Sequence, residues 1–210
     1  MTAFPAITRG RPLIVVDADE VVLRFLAGLE AYLPAQGLFL DLQSYQLTGN
    51  IRRISDGAPL DQPAVTALLT AFHASAGLDL APVKGAPEAL ADLAQHAQIV
   101  VLTNIAQDLA EARRANLRTH ALDYPVVPNS GLKGPAFSRL AADAGAPVFF
   151  IDDIPHHHTS VAAAHPDTHH IHLVADPRLF AMAKPAPQAS LFTSDWQETR
   201  RHILTALGQA

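Results

Sequence analysis

A doubly wound α/β fold with a mostly parallel sheet is predicted by three features of this 210-residue chain. Short apolar runs rich in Val, Ile and Phe recur along it, as strands buried on both faces should. Amphipathic helical stretches separate the runs, an alternation that builds parallel sheets through crossover connections. One long interval breaks the rhythm and marks an insert after the first run.

The first run, Leu13-Ile14-Val15-Val16, ends in Asp17-Ala18-Asp19. Val21 to Leu33 then carries Val22, Phe25, Leu26 and Leu29 on one helical face, and Asp61 to Ala76 carries Val65, Leu68, Leu69 and Phe72 before Gly77. Between these helices, Thr48-Gly49-Asn50 and Asp56-Gly57-Ala58-Pro59 punctuate a stretch with no strong strand pattern. Residues 22–82 therefore read as a small helical insert, with Ala81-Pro82-Val83-Lys84-Gly85 as its return hinge. Residues 1–21 and 83–210 read as the main domain. There, Pro87 to His96 starts with a proline and places Leu90, Leu93 and Ala94 on one face. The Gln98–Thr103 run follows, then a polar amphipathic helix over Asp108 to Leu117 and a weaker strand at Tyr124-Pro125-Val126-Val127. A helix over Pro135 to Ala144 carries Phe137, Leu140 and Ala141 and stops at Gly145. The Pro147–Asp153 run ends on two carboxylates, and His170 to Val174 is the last strand predicted. Lys184-Pro185-Ala186-Pro187 reads as a surface loop. Ser194 and Gln197 form a capping box for a final helix with Trp196, Ile203 and Leu207.

Apolar residues make up 49% of the chain, enough for a sizeable core and against disorder. The formal net charge is -5 with no run of Lys or Arg, which disfavours a nucleic-acid polymer or an anionic membrane as partner. The absence of cysteine excludes disulfides, thiolate zinc sites and Cys nucleophiles, and fits a cytoplasmic protein. Met1 to Pro5 lacks the basic start and apolar segment of a secretory signal, so none is expected. No apolar stretch reaches the ~18 residues of a membrane-spanning helix.

Parallel strands bring their carboxyl ends to one edge, where such folds place their sites. The polar residues at those ends are Asp17 and Asp19, Thr103 with Asn104, and Asp152 with Asp153; Lys133 stands just before a helix. Clustered carboxylates are costly without a cation or a shared proton. Four carboxylates, a hydroxyl and a lysine suit magnesium-assisted phosphoryl transfer, because Mg²⁺ prefers hard oxygen ligands and the lysine balances phosphoryl charge.

These residues, in this order, resemble the four motifs of the haloacid dehalogenase-like superfamily. They are a strand followed by Asp-x-Asp (Asp17-Ala18-Asp19), a strand ending in Thr (Thr103), a lysine before a helix (Lys133) and a strand ending in an acidic pair (Asp152-Asp153). The likeness covers the chain outside the insert. It implies a Rossmann-like core with the insert as a cap. It also implies Mg²⁺-dependent hydrolysis of a small phosphomonoester through an aspartyl-phosphate. Asp17 would be the nucleophile, and Asp19 the general acid and base with its backbone carbonyl on the metal. Thr103 and the Asn104 amide would hold the phosphoryl group, and Lys133 would neutralise it. Asp17, Asp19, Asp152 and Asp153 would form the metal site, with Asp153 the direct ligand of the last pair and Asp152 behind it. Asp19 favours this branch over the dehalogenases, which attack carbon and need no such acid. A response-regulator receiver uses similar groups, but with the acidic pair early and the lysine last. A phosphotransferase or phosphomutase would use the same residues, whereas a non-catalytic binding module of this fold would need none of them. The expected substrate is a small phosphorylated metabolite, a nucleotide or sugar phosphate, selected by the insert.

Arg52 and Arg53, in the insert, are candidates to bind an anionic part of the substrate, with a solvated surface pair as the alternative. Phe25 and Tyr45 read as packing for the insert, with a pocket wall as the alternative. Asn104 could also cap a helix. His156, His157, His158, His165, His169, His170 and His172 read as a solvated or helix-capping cluster, His156 being best placed to approach the site. Adjacent imidazoles cannot all face one metal, and the neighbouring carboxylates suit Mg²⁺ better than Zn²⁺.

Overall fold

In chain order the strands are β1 (Leu13–Val16), β2 (Leu38–Leu40), β3 (Ile51–Arg53), β4 (Gln98–Thr103), β5 (Val126–Pro128), β6 (Val148–Asp152), β7 (His169–Leu173) and β8 (Ala189–Thr193). The helices are α1 (Phe25–Tyr32), α2 (Gln62–His73), α3 (Ala86–His96), α4 (Ala110–Thr119), α5 (Gly134–Ala141), α6 (Pro155–Ala164), α7 (Pro177–Met182) and α8 (Trp196–Ala206). The computed structural model describes residues 4–209; residues 1–3 and 210, assigned above to the main domain, lie outside the described residues.

Six strands form one parallel sheet in the order β5-β4-β1-β6-β7-β8. β1 lies at its centre because all four of its residues are apolar and can be buried on both faces. Ile14 and Val16 join one core with Leu90 and Leu93 of α3 and Trp196 and Ile203 of α8. Leu13 and Val15 join the opposite core with Phe137 and Leu140 of α5 and Val161 of α6. The doubly wound α/β architecture is thus present, with helices on both faces.

The chain leaves the sheet after β1 and returns beside its own exit. The Val83 N–H donates to the Val22 carbonyl at 2.7 Å, and the Arg24 N–H to the Ala81 carbonyl at 2.9 Å. These bonds keep residues 22–24 out of helical conformation, so α1 starts at Phe25, later than the apolar pattern suggests. The interval carries α1 and α2, and its Leu29, Leu33, Ile51, Val65 and Phe72 join the same core as Ile14 and Val16. It is therefore packed onto the sheet and shares its hydrophobic interior.

Further features differ from the sequence expectations, which do not include α7. The insert holds an antiparallel ribbon of β2 and β3, each too short to produce a pattern. β8 extends the sheet as an edge strand whose half-exposed residues lack an apolar run. The cap of α8 is Asp195, whose side chain accepts from the Gln197 N–H at 2.8 Å, and not Ser194. Among the described residues no helix is long and apolar enough to cross a membrane.

Candidate active site

β4, β1 and β6 are neighbours, so their carboxyl ends deliver Thr103, Asp17 and Asp152-Asp153 to one edge. Lys133 comes from the residue that precedes α5 and is 1% exposed. Its Nζ lies 2.7 Å from Asp17 Oδ1 in an ion pair, and donates a hydrogen bond of 2.7 Å to Asp152 Oδ2. The Ile154 N–H donates to the other Asp152 oxygen at 2.8 Å. Asp17, Asp152 and Asp153 each offer a carboxylate oxygen within 4.8 Å of the others.

The electrostatics follow from burial. Burial, with the Asp152 and Asp19 carboxylates adding to it, pushes the Asp17 carboxyl up to about 7 against the pull of Lys133. Burial and the Asp152 and Asp17 charges push Asp153 well above the usual carboxylate range. Burial also works against the Asp152 carboxylate, yet Lys133 holds it below its ordinary value. Lys133 itself is pulled down by burial but held up, above its ordinary value, by Asp152 and Asp17. Three carboxylates against one ammonium leave two negative charges uncompensated, which a divalent cation of oxygen-ligand type would match. Both oxygens of Asp152 are already engaged, so Asp153 and Asp17 are the freer donors.

The structure brings Asp17, Lys133, Asp152 and Asp153 into direct contact or near contact and sets Thr103 on the adjacent strand. Thr103 is 1% exposed and its Oγ1 has no hydrogen-bond partner, as expected of a hydroxyl poised for a ligand. Asn104 binds the loop that leads to Lys133: its Nδ2 donates to the Gly131 carbonyl at 3.0 Å, and its Oδ1 accepts from Asn129 Nδ2 at 2.7 Å. Arg52 and Arg53 are not brought to the cluster. Arg52 pairs with Asp41 at 2.9 Å and Arg53 with Asp56 at 3.0 Å, so both guanidiniums are satisfied within their own ribbon and its turn.

Asp19 has partners that the sequence reading missed. Arg113 of α4, 1% exposed, places Nη2 3.0 Å from Asp19 Oδ1. His73 at the end of α2 places Nδ1 3.9 Å from Asp19 Oδ2. Ala110, Arg113 and Leu117 share the buried stripe of α4 at i, i+3 and i+7, and a guanidinium on such a stripe was the available signal. Phe25 stacks on His73, ring centroids 5.7 Å apart, and meets Phe72 edge-on. Tyr45 does more than pack: its hydroxyl donates to the Asp153 carbonyl at 2.8 Å and lies 3.2 Å from Asp153 Oδ2.

The histidines also depart from expectation, because most of the cluster is buried behind the acidic pair. The Ala186 N–H donates to His172 Nδ1 at 3.1 Å, so the Nε2–H of His172 donates to the Asp153 carbonyl at 2.8 Å. His158 Nε2–H donates to the Asp152 carbonyl at 3.0 Å, leaving its Nδ1 to accept from His170 Nδ1–H at 3.0 Å. Burial keeps all three imidazoles below their ordinary value. His158 and His172 act as neutral donors that fix the backbone of Asp152 and Asp153, and His170 holds His158 in place. His156, the candidate for approach, is exposed at the start of α6.

Neither a protein-family model nor a curated protein matches the sequence. Solved structures do match. A HAD-hydrolase from Bacillus subtilis bound to magnesium superposes with a TM-score of 0.61 at 15% identity, over 94% of this chain and 99% of that one. A predicted phosphoglycolate phosphatase from Haemophilus somnus gives 0.60 at 12%, over 92% and 98%. The L-2-haloacid dehalogenase of Xanthobacter autotrophicus, with chloropropionic acid covalently bound, gives 0.59 at 12%, over 91% and 97%. The fold is that of the haloacid dehalogenase-like hydrolases. Both carbon-attacking and phosphate-directed proteins share it.

Proposed function

We propose that the protein is a magnesium-dependent phosphatase of small phosphomonoesters. The observation that carries this reading is the buried cluster of Asp17, Asp152, Asp153 and Lys133, with Asp19 two residues beyond Asp17. Asp17, Asp153 and, behind them, Asp152 would hold Mg²⁺, as the sequence reading expects, with the Asp19 backbone carbonyl also expected there. The bound ion would keep Asp17 ionised and draw charge from the phosphoryl oxygens.

Asp17 attacks phosphorus, and the bond to the leaving oxygen breaks as that oxygen takes a proton from Asp19. Water then attacks the aspartyl-phosphate and gives its proton to Asp19, releasing inorganic phosphate and restoring Asp17. Thr103 and the Asn104 amide hold the phosphoryl oxygens, and Lys133 offsets their charge. Arg113 fixes Asp19 through Oδ1, which leaves Oδ2, on the His73 side, for proton transfer. Asp19 supports phosphate over carbon chemistry, since attack on a halogenated carbon releases halide and needs no proton donor.

The test is turnover of p-nitrophenyl phosphate with and without Mg²⁺, beside chloride release from 2-chloropropionate. Wild type is expected to hydrolyse the phosphate ester only with Mg²⁺, and Asp17→Asn to lose about 10³-fold or more. Equal turnover by both proteins would remove Asp17 from the mechanism. Chloride release without ester hydrolysis would place the protein among the dehalogenases.

A further inference from the structure

Helix α2 lines two clefts. Gln62 and Val65 face a cleft of about 720 Å³ that reaches Ile154 and Lys184. Thr66, Thr70 and His73 face another of about 420 Å³, whose opposite wall includes Asn104, Asn129 and Ser130. Leu69 lines both. The second cleft borders the proton donor, because His73 stands both in its wall and 3.9 Å from Asp19 Oδ2. Its floor begins at Asn104, next to Thr103. A leaving oxygen protonated by Asp19 Oδ2 would lie at this end.

The chemistry of this cleft is neutral. No Lys, Arg, Asp or Glu lines it, and the rest of its wall is apolar or glycine. Arg113, the guanidinium near it, is buried against Asp19. The hydroxyl of Thr66 donates to the Gln62 carbonyl at 3.0 Å and that of Thr70 to the Thr66 carbonyl at 2.9 Å. Asn129 Nδ2 donates to Asn104 Oδ1 at 2.7 Å and to the Gly131 carbonyl at 3.2 Å. The donors of Thr66, Thr70 and Asn129 are therefore occupied within the protein, so their lone pairs remain to face a ligand, while the Ser130 hydroxyl and the His73 ring supply the neutral donors of the wall. Such a surface pairs with hydroxyl donors. A carboxylate or second phosphate would give up hydration there without meeting a cationic side chain.

We propose that this cleft takes the leaving group and selects phosphomonoesters of small, hydroxyl-bearing alcohols that carry no second anionic group. The inference rests on the phosphatase reading and narrows its substrate class. The volume accommodates a short polyol or a single sugar ring.

The test is calorimetry on Asp17→Asn protein with Mg²⁺, using the matched pair erythritol 4-phosphate and 4-phosphoerythronate. They differ in whether the far carbon is an alcohol or an acid. The alcohol is expected to bind about tenfold more tightly or better, and Thr70→Val, which removes an acceptor without changing shape, to narrow that ratio. Equal or tighter binding of the acid, or a ratio untouched by Thr70→Val, overturns the assignment. A preserved preference with no turnover of the alcohol ester by wild type would keep the cleft and remove the hydrolase reading. Turnover without the preference would do the reverse.

Discussion

Lys133 shows how much one buried side chain is asked to do. It touches two carboxylates at 2.7 Å and is the only ammonium beside the acidic cluster among the described residues. A buried charge stripped of its partner typically costs about 3–5 kcal/mol. Lys133→Met is therefore expected to lower stability by about that amount and to abolish phosphoester turnover. It also leaves three carboxylates uncompensated, so Mg²⁺ should raise the melting temperature of the variant more than that of wild type. Melting curves with and without millimolar Mg²⁺ check this. An equal shift in both proteins would mean that Lys133 and the cation do not share the cluster's charge. The same logic explains Arg113, a buried cation whose position is set by Asp19, a residue far from it in sequence.

At the scale of elements, Lys133 enters the site from the residue that precedes α5, and the position of that helix depends on Gly134. A Cβ at Gly134 would lie 2.3 Å from the Ser160 carbonyl of α6. The methyl cannot fit unless the two helices part. Gly134→Ala is expected to cost about 1–3 kcal/mol through overpacking and to reduce turnover, because the residue beside it is Lys133. Denaturant unfolding together with steady-state turnover checks both effects; a variant of unchanged stability would show that the α5–α6 contact is soft. The sequence made α5 legible through Phe137, Leu140 and Ala141, and made β1, β4 and β6 legible through their unbroken apolar runs. Because each of those strands is central, its polar terminus stood out, and Asp17, Thr103 and the acidic pair were readable from pattern alone. Lys133 was legible as a lysine just before a helix, and the family resemblance sharpened its role. The rest depended on contacts distant in sequence. β8 is half-exposed and leaves no apolar run. Tyr45 reaches Asp153 across 108 positions. The histidines looked solvated because their alternation in β7 resembles a polar face, yet α6 covers that face and turns it into core.

The whole molecule sets two groups of buried titratable side chains against each other. Asp17 and Glu20 are raised to about 7 by burial, and Asp153 is raised by burial with its neighbouring carboxylates. In the metal-free protein the folded state holds these protons more tightly than the unfolded chain. Their contribution is full below the ordinary carboxylate values, 3.8 for Asp and 4.5 for Glu; that of Asp17 and Glu20 is lost as pH rises through about 7, and that of Asp153 as pH rises through its own raised value. His73, His157, His158, His170, His172 and His202 are held below 6.5 by burial, His157 and His170 down to about 4. The folded state refuses protons that the unfolded chain accepts, so this contribution is full above 6.5 and is lost as pH falls below it. Between pH 7 and pH 5 the two contributions therefore run against each other. The melting temperature of wild type relative to His170→Gln, which removes an imidazole held at about 4, is expected to fall as pH drops from 7 to 5. An identical pH profile in both proteins would contradict a buried, neutral His170. Mg²⁺ competes with protons for Asp17 and Asp153, so a fixed Mg²⁺ concentration should raise the melting temperature more at pH 8 than at pH 6. A gain independent of pH would place the cation away from these two carboxylates.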